Sequence, residues 1–220
     1  METIVTKKVS IVLSTSLGKM KERIQQKARE LFLKYGFKSV TMDEIASQSG
    51  ISKKTIYQFF ADKDELVEDV MQKELNSMRD ECIRQREESQ NAIEELIQDL
   101  ESKMMTMEAM NPFIVFDLEK FYPQAFLVFK KHKESFLLEL IRRNIERGIE
   151  EGVYRNDFNV DIISKFRLES SFLIFNQDLY PNSKYSLMDV ARELYYHFLY
   201  GISTEKGRQI IEKYQHKKTI

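Results

Sequence analysis

Apolar positions recur along most of this chain with a period near 3.6, which predicts helices rather than strands. Residues 20–35 place Ile24, Ala28, Leu31, Phe32 and Tyr35 on one face, and Gly36 follows as a natural C-cap. Thr41-Met42-Asp43-Glu44 carries the hydroxyl and carboxylate of a capping box and predicts a second helix reaching about Ser49. Gly50 supplies a sharp turn, Ile51 packs back, and Ser52 caps a third helix running to about Phe59. In that helix Ile56 and Phe60 read as inward-facing, while Phe59 fits either side. Asp62 to Glu65 form another box and open a long helix towards Arg86. Ile93, Leu96, Ile97, Leu100, Met104 and Met107 mark the next helix, which Asn111-Pro112 ends. A short aromatic segment follows, and the spacing from Phe126 to Ile149 predicts one long helix over 124–151. Residues 160–179 and 187–201 predict two more, and TEKGRQIIEKY adds a last turn or two. No strand-like alternation and no internal repeat occurs. The expected fold is all-α, with about nine or ten helices.

Composition sharpens this picture in three places. Seven Gly and three Pro in 220 residues leave few forced chain breaks, which suits long helices. One cysteine, Cys82, excludes an internal disulfide and fits a reducing cytoplasm. His132, His197 and His216 are too scattered to give metal-ligand spacing with it, so no metal and no cofactor is expected. Net charge is only -1, but it is unevenly spread. Residues 19–63 hold ten basic side chains against five acidic, while residues 64–220 carry a net -7. A basic head on an acidic body suggests that the head meets phosphate.

Residues 7–18 faintly resemble a signal peptide, but Ser and Thr dilute the apolar run and no small-residue cleavage site follows. Residues 1–18 are expected to form a disordered extension, and Met20 offers an alternative start. No apolar run is long enough for a membrane span.

The stretch 41–63, TMDEIASQSGISKKTIYQFFADK, carries the chemistry. Two short helices around a tight turn are the layout of a helix-turn-helix, which sets its second helix in the DNA major groove. Helix N-termini favour negative charge, and the other helices open on Asp43-Glu44 and Asp64-Glu65. The third opens instead on Lys53 and Lys54, which suits an anionic or acceptor-rich neighbour such as phosphate or a guanine edge. Thr55 and Tyr57 share its outer side and can reach thymine methyls or phosphate oxygens. Lys63, another lysine at a helix start, is expected on the phosphate backbone.

Residues 20–70 resemble the N-terminal domain of the TetR family of bacterial transcription regulators. The matching residues are a first helix ending KYGF, then TMDEIASQSGISKKTIYQFF, then DKDELV. The resemblance implies that Thr41, Ser52, Lys53, Lys54, Thr55, Tyr57 and Lys63 contact DNA. Lys54 stands where the family often has a small residue or Pro, and Phe59 where it often has His, which bears on base preference rather than on DNA binding. Outside this quarter of the chain only the helical layout matches.

For the body, Met and aromatic side chains between 104 and 129 can line an adaptable apolar cavity, although such a stripe is also what ordinary core looks like. In similar proteins the middle helices enclose an effector site coupled to the spacing of two heads. Met104, Met107, Phe113, Phe116, Tyr122, Phe126 and Phe129 are the candidate effector-binding residues, for a small apolar or amphipathic ligand. Residues 160–179 and 187–202 are apolar over a wide arc, so a homodimer through a four-helix bundle is expected. Two-fold symmetry then predicts a palindromic operator in double-stranded DNA, read about one turn (~34–36 Å) apart.

The expected organisation is therefore an extension (1–18), a helix-turn-helix head (19–65) and an effector-binding and dimerisation body (66–220). The expected function is a cytoplasmic, dimeric repressor released by an effector. No HExxH, Gly-rich phosphate loop or nucleophile order points to an enzyme. The alternative is a helical scaffold whose head docks on a protein instead of DNA.

Overall fold

A computed structural model describes residues 2–217, with side chains described from 16 to 216. The helices are α1 Glu2–Tyr35, α2 Met42–Gln48, α3 Lys53–Ile56, α4 Lys63–Glu88, α5 Ala92–Met107, α6 Ile114–Phe121, α7 Pro123–His132, α8 Leu138–Glu150, α9 Val160–Ser170, α10 Leu187–Ile202 and α11 Glu205–Lys217. A π-helical turn, Lys133–Leu137, joins α7 to α8, so the single helix expected over 124–151 is nearly one rod. Among the described residues the only β pairing is an isolated bridge between Tyr154 and Ser203.

Four elements differ from the sequence expectation. α1 begins at Glu2, so residues 2–18 continue the helix where a disordered extension was expected. No Pro interrupts them, and lengthening an existing helix carries no nucleation cost. α3 is helical for only four residues, Lys53–Ile56. Its next turn tightens through i→i+3 bonds, Gln58 N to Thr55 O at 3.1 Å and Phe59 N to Ile56 O at 3.0 Å. β-branched Thr55 and Ile56 and aromatic Tyr57, Phe59 and Phe60 favour a long helix only weakly. α9 stops at Ser170 rather than 179, because the hydroxyls of Ser170 and Ser171 both turn back onto the Arg167 carbonyl. α11 runs 13 residues rather than a turn or two.

Two main cores hold the bundle. In the first, Ile24, Ala28 and Phe32 of α1 meet Ile45 and Ala46 of α2, Ile56, Phe60, and Leu66, Val67 and Val70 of α4. Ile114 and Leu118 of α6, Tyr122 at the joint and Ala125 of α7 belong to the same cluster, so the core does not divide at residue 65. In the second, Ile93 and Ile97 of α5 pack with Ile145, Tyr195, Phe198, Leu199 and Ile211. Tyr154 plugs this core at 2% exposure, its hydroxyl donating to Ala92 O and Asn144 Oδ1, both at 3.2 Å. Gly148 makes the room, since a Cβ there would lie 2.0 Å from the Tyr154 ring.

Candidate nucleic-acid interface and body cavity

The helix-turn-helix is assembled by local chemistry. Thr41 caps α2 through a complete capping box: its hydroxyl accepts from Glu44 N at 3.2 Å, and Glu44 accepts from Thr41 N at 2.7 Å. The bonds that Thr41 donates to this carboxylate from its backbone N–H and its hydroxyl hold the Glu44 carboxyl below its usual range. Gly50 turns the chain at φ 63°, in the left-handed region, and Ile51 N bonds back to Ala46 O. Ser52 then caps α3 by accepting from Thr55 N at 3.1 Å, while its hydroxyl also pairs with that of Thr55 at 2.8 Å. Ile56 and Phe60 are buried as expected, and Phe59 lies half-buried against the first core.

This leaves Ser52, Lys53, Lys54 and Tyr57 on the outer face, with Tyr57 44% exposed and Thr55 partly covered. Lys53 bonds Asp43 at 2.9 Å, which pushes its ammonium pKa up. With α3 one turn long and Lys53 balanced by Asp43, the helix dipole contributes little to this face. Lys54 makes no ion pair among the described residues. Several head cations are already engaged: Lys21 binds Asp69 at 2.8 Å and Arg29 binds Glu74, both carboxylates on α4. Positive charge counted along the sequence therefore exceeds what faces outward.

Lys63, expected on phosphate, is turned inward. Its ammonium donates to Phe37 O and, at 3.4 Å, to Lys38 O, and lies 5.4 Å from the Tyr122 ring centre. The carbonyls just past the end of α1 attract a cation, and burial lowers the lysine's pKa. This spot is a junction between head and body. Asp117 of α6 accepts from Lys38 N at 3.0 Å, and Tyr122 donates to Phe37 O at 3.3 Å. Burial pushes the Tyr122 hydroxyl up to about 12. Gly36, at φ 84°, lets the chain pass so close that a Cβ would sit 2.7 Å from Asp117 Oδ2. Asn111 N completes the seam on Leu33 O at 2.7 Å.

Residues 24–70 match the family described as bacterial regulatory proteins, tetR family. This N-terminal segment is a TetR-family DNA-binding domain. It is 29% identical over 165 residues to the HTH-type transcriptional regulator YvaF of Bacillus subtilis, covering 70% of this chain and 86% of the relative. A regulator from Saccharomonospora viridis, solved in complex with choline, superposes with a TM-score of 0.70 at 19% identity, covering 86% of this chain and 100% of the other. The regulator FadR of Bacillus subtilis, solved in complex with stearoyl-CoA, does so at 0.62 and 16% identity, covering 82% and 98%. Like its TetR-family relatives, the protein is a DNA-binding transcriptional regulator, and a scaffold without DNA binding is not favoured.

The body holds a partly open cavity of about 460 Å³. Of the candidate effector residues, the structure brings Met107 and Phe129 to its lining. The other five lie elsewhere. Met104 packs against the second core, Tyr122 and Phe126 belong with the first, and Phe113 and Phe116 are 45% and 51% exposed. The Met and Phe run spans both cores, so helical spacing alone could not assign it. Sequence reading missed Leu75, Cys82, Arg167, Leu168, Ile174 and Tyr195 on the lining, which come from four separate segments. Among the described residues there is no metal-binding cluster, and no helix is long and apolar enough to cross a membrane.

Proposed function

We propose that the protein is a cytoplasmic, homodimeric repressor that releases its operator when a small molecule fills the body cavity. One observation carries this reading: Arg29 of α1 and Glu74 of α4 pair with each other and both line the cavity, on the two helices that frame the head. A ligand there can bias the tilt of α1 and α4, and so the fit of two heads to adjacent grooves. The choline and stearoyl-CoA bound in two solved structures of this fold support a ligand-accepting body.

Residues 19–65 act as the DNA head and 66–220 as the control and dimer body. Ser52, Lys53, Lys54, Thr55 and Tyr57 are the contact set, with Thr41 at its edge. Lys53 meets phosphate by exchanging Asp43 for it. Lys63 is better read as a clasp of the head–body junction. Ile162 and Phe166, one turn apart on α9, are 62% and 56% exposed and suit burial against a second copy. The exposed side chains of α10 are mostly polar, so α9 and the 173–179 segment supply most of that apolar face.

Selection of bound fragments from random DNA tests the reading. The expected product is a palindrome with half-sites one helical turn apart. The Lys54→Ala, Tyr57→Phe double variant is expected to lose at least tenfold in affinity and to flatten the salt dependence by about one unit of slope. Recovery of no common sequence, or an unchanged gel shift for the variant, overturns the assignment.

A further inference from the structure

The cavity lining holds four carboxylates, Glu74, Glu81, Glu95 and Asp99, and three cations, Arg29, Lys103 and Arg167. Each lining carboxylate is ion-paired: Glu74 with Arg29, Asp99 with Lys103 at 2.7 Å, and Glu95 at 3.0 Å with Arg147, which it shares with Glu151. Glu81 pairs with Arg84, outside the lining. Arg29 and Lys103 are thereby satisfied, and one lining cation remains without an ion pair among the described residues. Arg167 of α9 is 7% exposed and forms no ion pair among the described residues. Its guanidinium stacks on two rings, 4.1 Å from the Tyr195 centre and 5.1 Å from that of Phe198, beside the Tyr195 hydroxyl. A buried cation without a counter-ion is costly, and ring faces offset only part of that cost. The lining also has apolar side chains, including Leu75, Leu100, Leu168 and Ile174.

We propose that the effector is an amphipathic monoanion, its carboxylate received by Arg167 and its apolar body lying along Leu75, Leu100 and Phe129. A planar guanidinium matches a carboxylate in two parallel hydrogen bonds, which a neutral or cationic head group cannot form. Choline, bound in the solved neighbour, carries the opposite charge, so the shared fold does not fix this choice; the arginine without an ion pair does. The inference rests on the regulator reading above for its biological role, but not for the binding itself.

Calorimetry with the full-length protein tests it, using decanoate against decanol and 4-phenylbutyrate against 4-phenylbutanol at neutral pH. At least one acid is expected to bind, at least tenfold tighter than its alcohol. Arg167→Gln is expected to erase that preference, and Arg167→Lys to restore part of it. Should Arg167→Gln fail to fold by circular dichroism, the acid-over-alcohol preference of the unmodified protein and the Arg167→Lys variant still decide. No acid binding, equal binding of acid and alcohol, or a preference that survives Arg167→Gln overturns the proposal. The last outcome would move the anion to the outer groove of Arg79, Arg86 and Arg143. Operator binding is read separately by gel shift: its failure with acid binding intact would sink the regulator reading and leave the ligand class standing.

Discussion

Replacing Asp117 by alanine cuts the seam between head and body at one atom. Its carboxylate is 8% exposed, accepts from Lys38 N at 3.0 Å and faces the Gly36 turn. It also adds to the field that keeps Lys63 charged. A hydrogen bond to a charged group contributes about 1.5–3 kcal/mol. Lys38 is exposed and its amide can find water in the variant, so the lower part of that range applies, about 1.5–2 kcal/mol. For a chain of this size each kcal/mol shifts Tm by about 2–4 °C, giving a loss of about 3–8 °C. Asp117→Asn keeps an acceptor but not the charge and is expected to lose about half as much. Glu119, exposed on the same helix, is the control and should stay within about 0.5 kcal/mol on substitution by alanine. Urea unfolding followed by far-UV circular dichroism reads all three variants. If Asp117→Ala loses no more than Glu119→Ala, the seam is not held by this contact.

Three further outcomes follow from local geometry. Thr41→Ala removes the capping box of α2 and should cost about 1 kcal/mol, whereas Thr41→Ser should be nearly neutral by the same unfolding assay; equal losses would refute the cap. Burial pushes the Cys82 thiol up to about 11, so at pH 8 only about one part in a thousand is thiolate, and Ellman's reagent should label folded protein no faster than it opens; rapid labelling would contradict that burial. Burial also raises the Glu95 carboxyl above its unfolded value of 4.5 despite Arg147. The folded state therefore holds that proton more tightly, and this group's contribution to stability falls as pH rises from about 4.5 through the raised value. Glu95→Gln should flatten the urea midpoint over that window, and an unchanged slope would show that Glu95 does not govern it.

The recognition unit was legible because its causes are local. Thr41 and Glu44 lie three residues apart, Gly50 needs its left-handed φ whatever surrounds it, and Ser52 caps the next turn. Lys63 was not legible: its partners are carbonyls 25 and 26 residues away, and only the packed corner of α1 and α2 aims them at it. The long helix over 124–151 could be read from its period, whereas the end of α9 could not, since Ser170 and Ser171 stop it through hydroxyl bonds that a hydropathy pattern ignores. Arg167 escaped notice for a similar reason. A single arginine in an amphipathic helix looks solvated until the helix is docked, and the rings of Tyr195 and Phe198 that cover it come from the next helix in the chain.

The shared core of α1, α2, α4, α6 and α7 bears on engineering. Grafting this head onto a foreign sensor at residue 65 would strip away the faces that Ile114, Leu118, Tyr122 and Ala125 cover, leaving Phe37 and Val40 wet. A working chimera must carry residues 111–125 along with the reader, as one transplant, and swap only what lies beyond them.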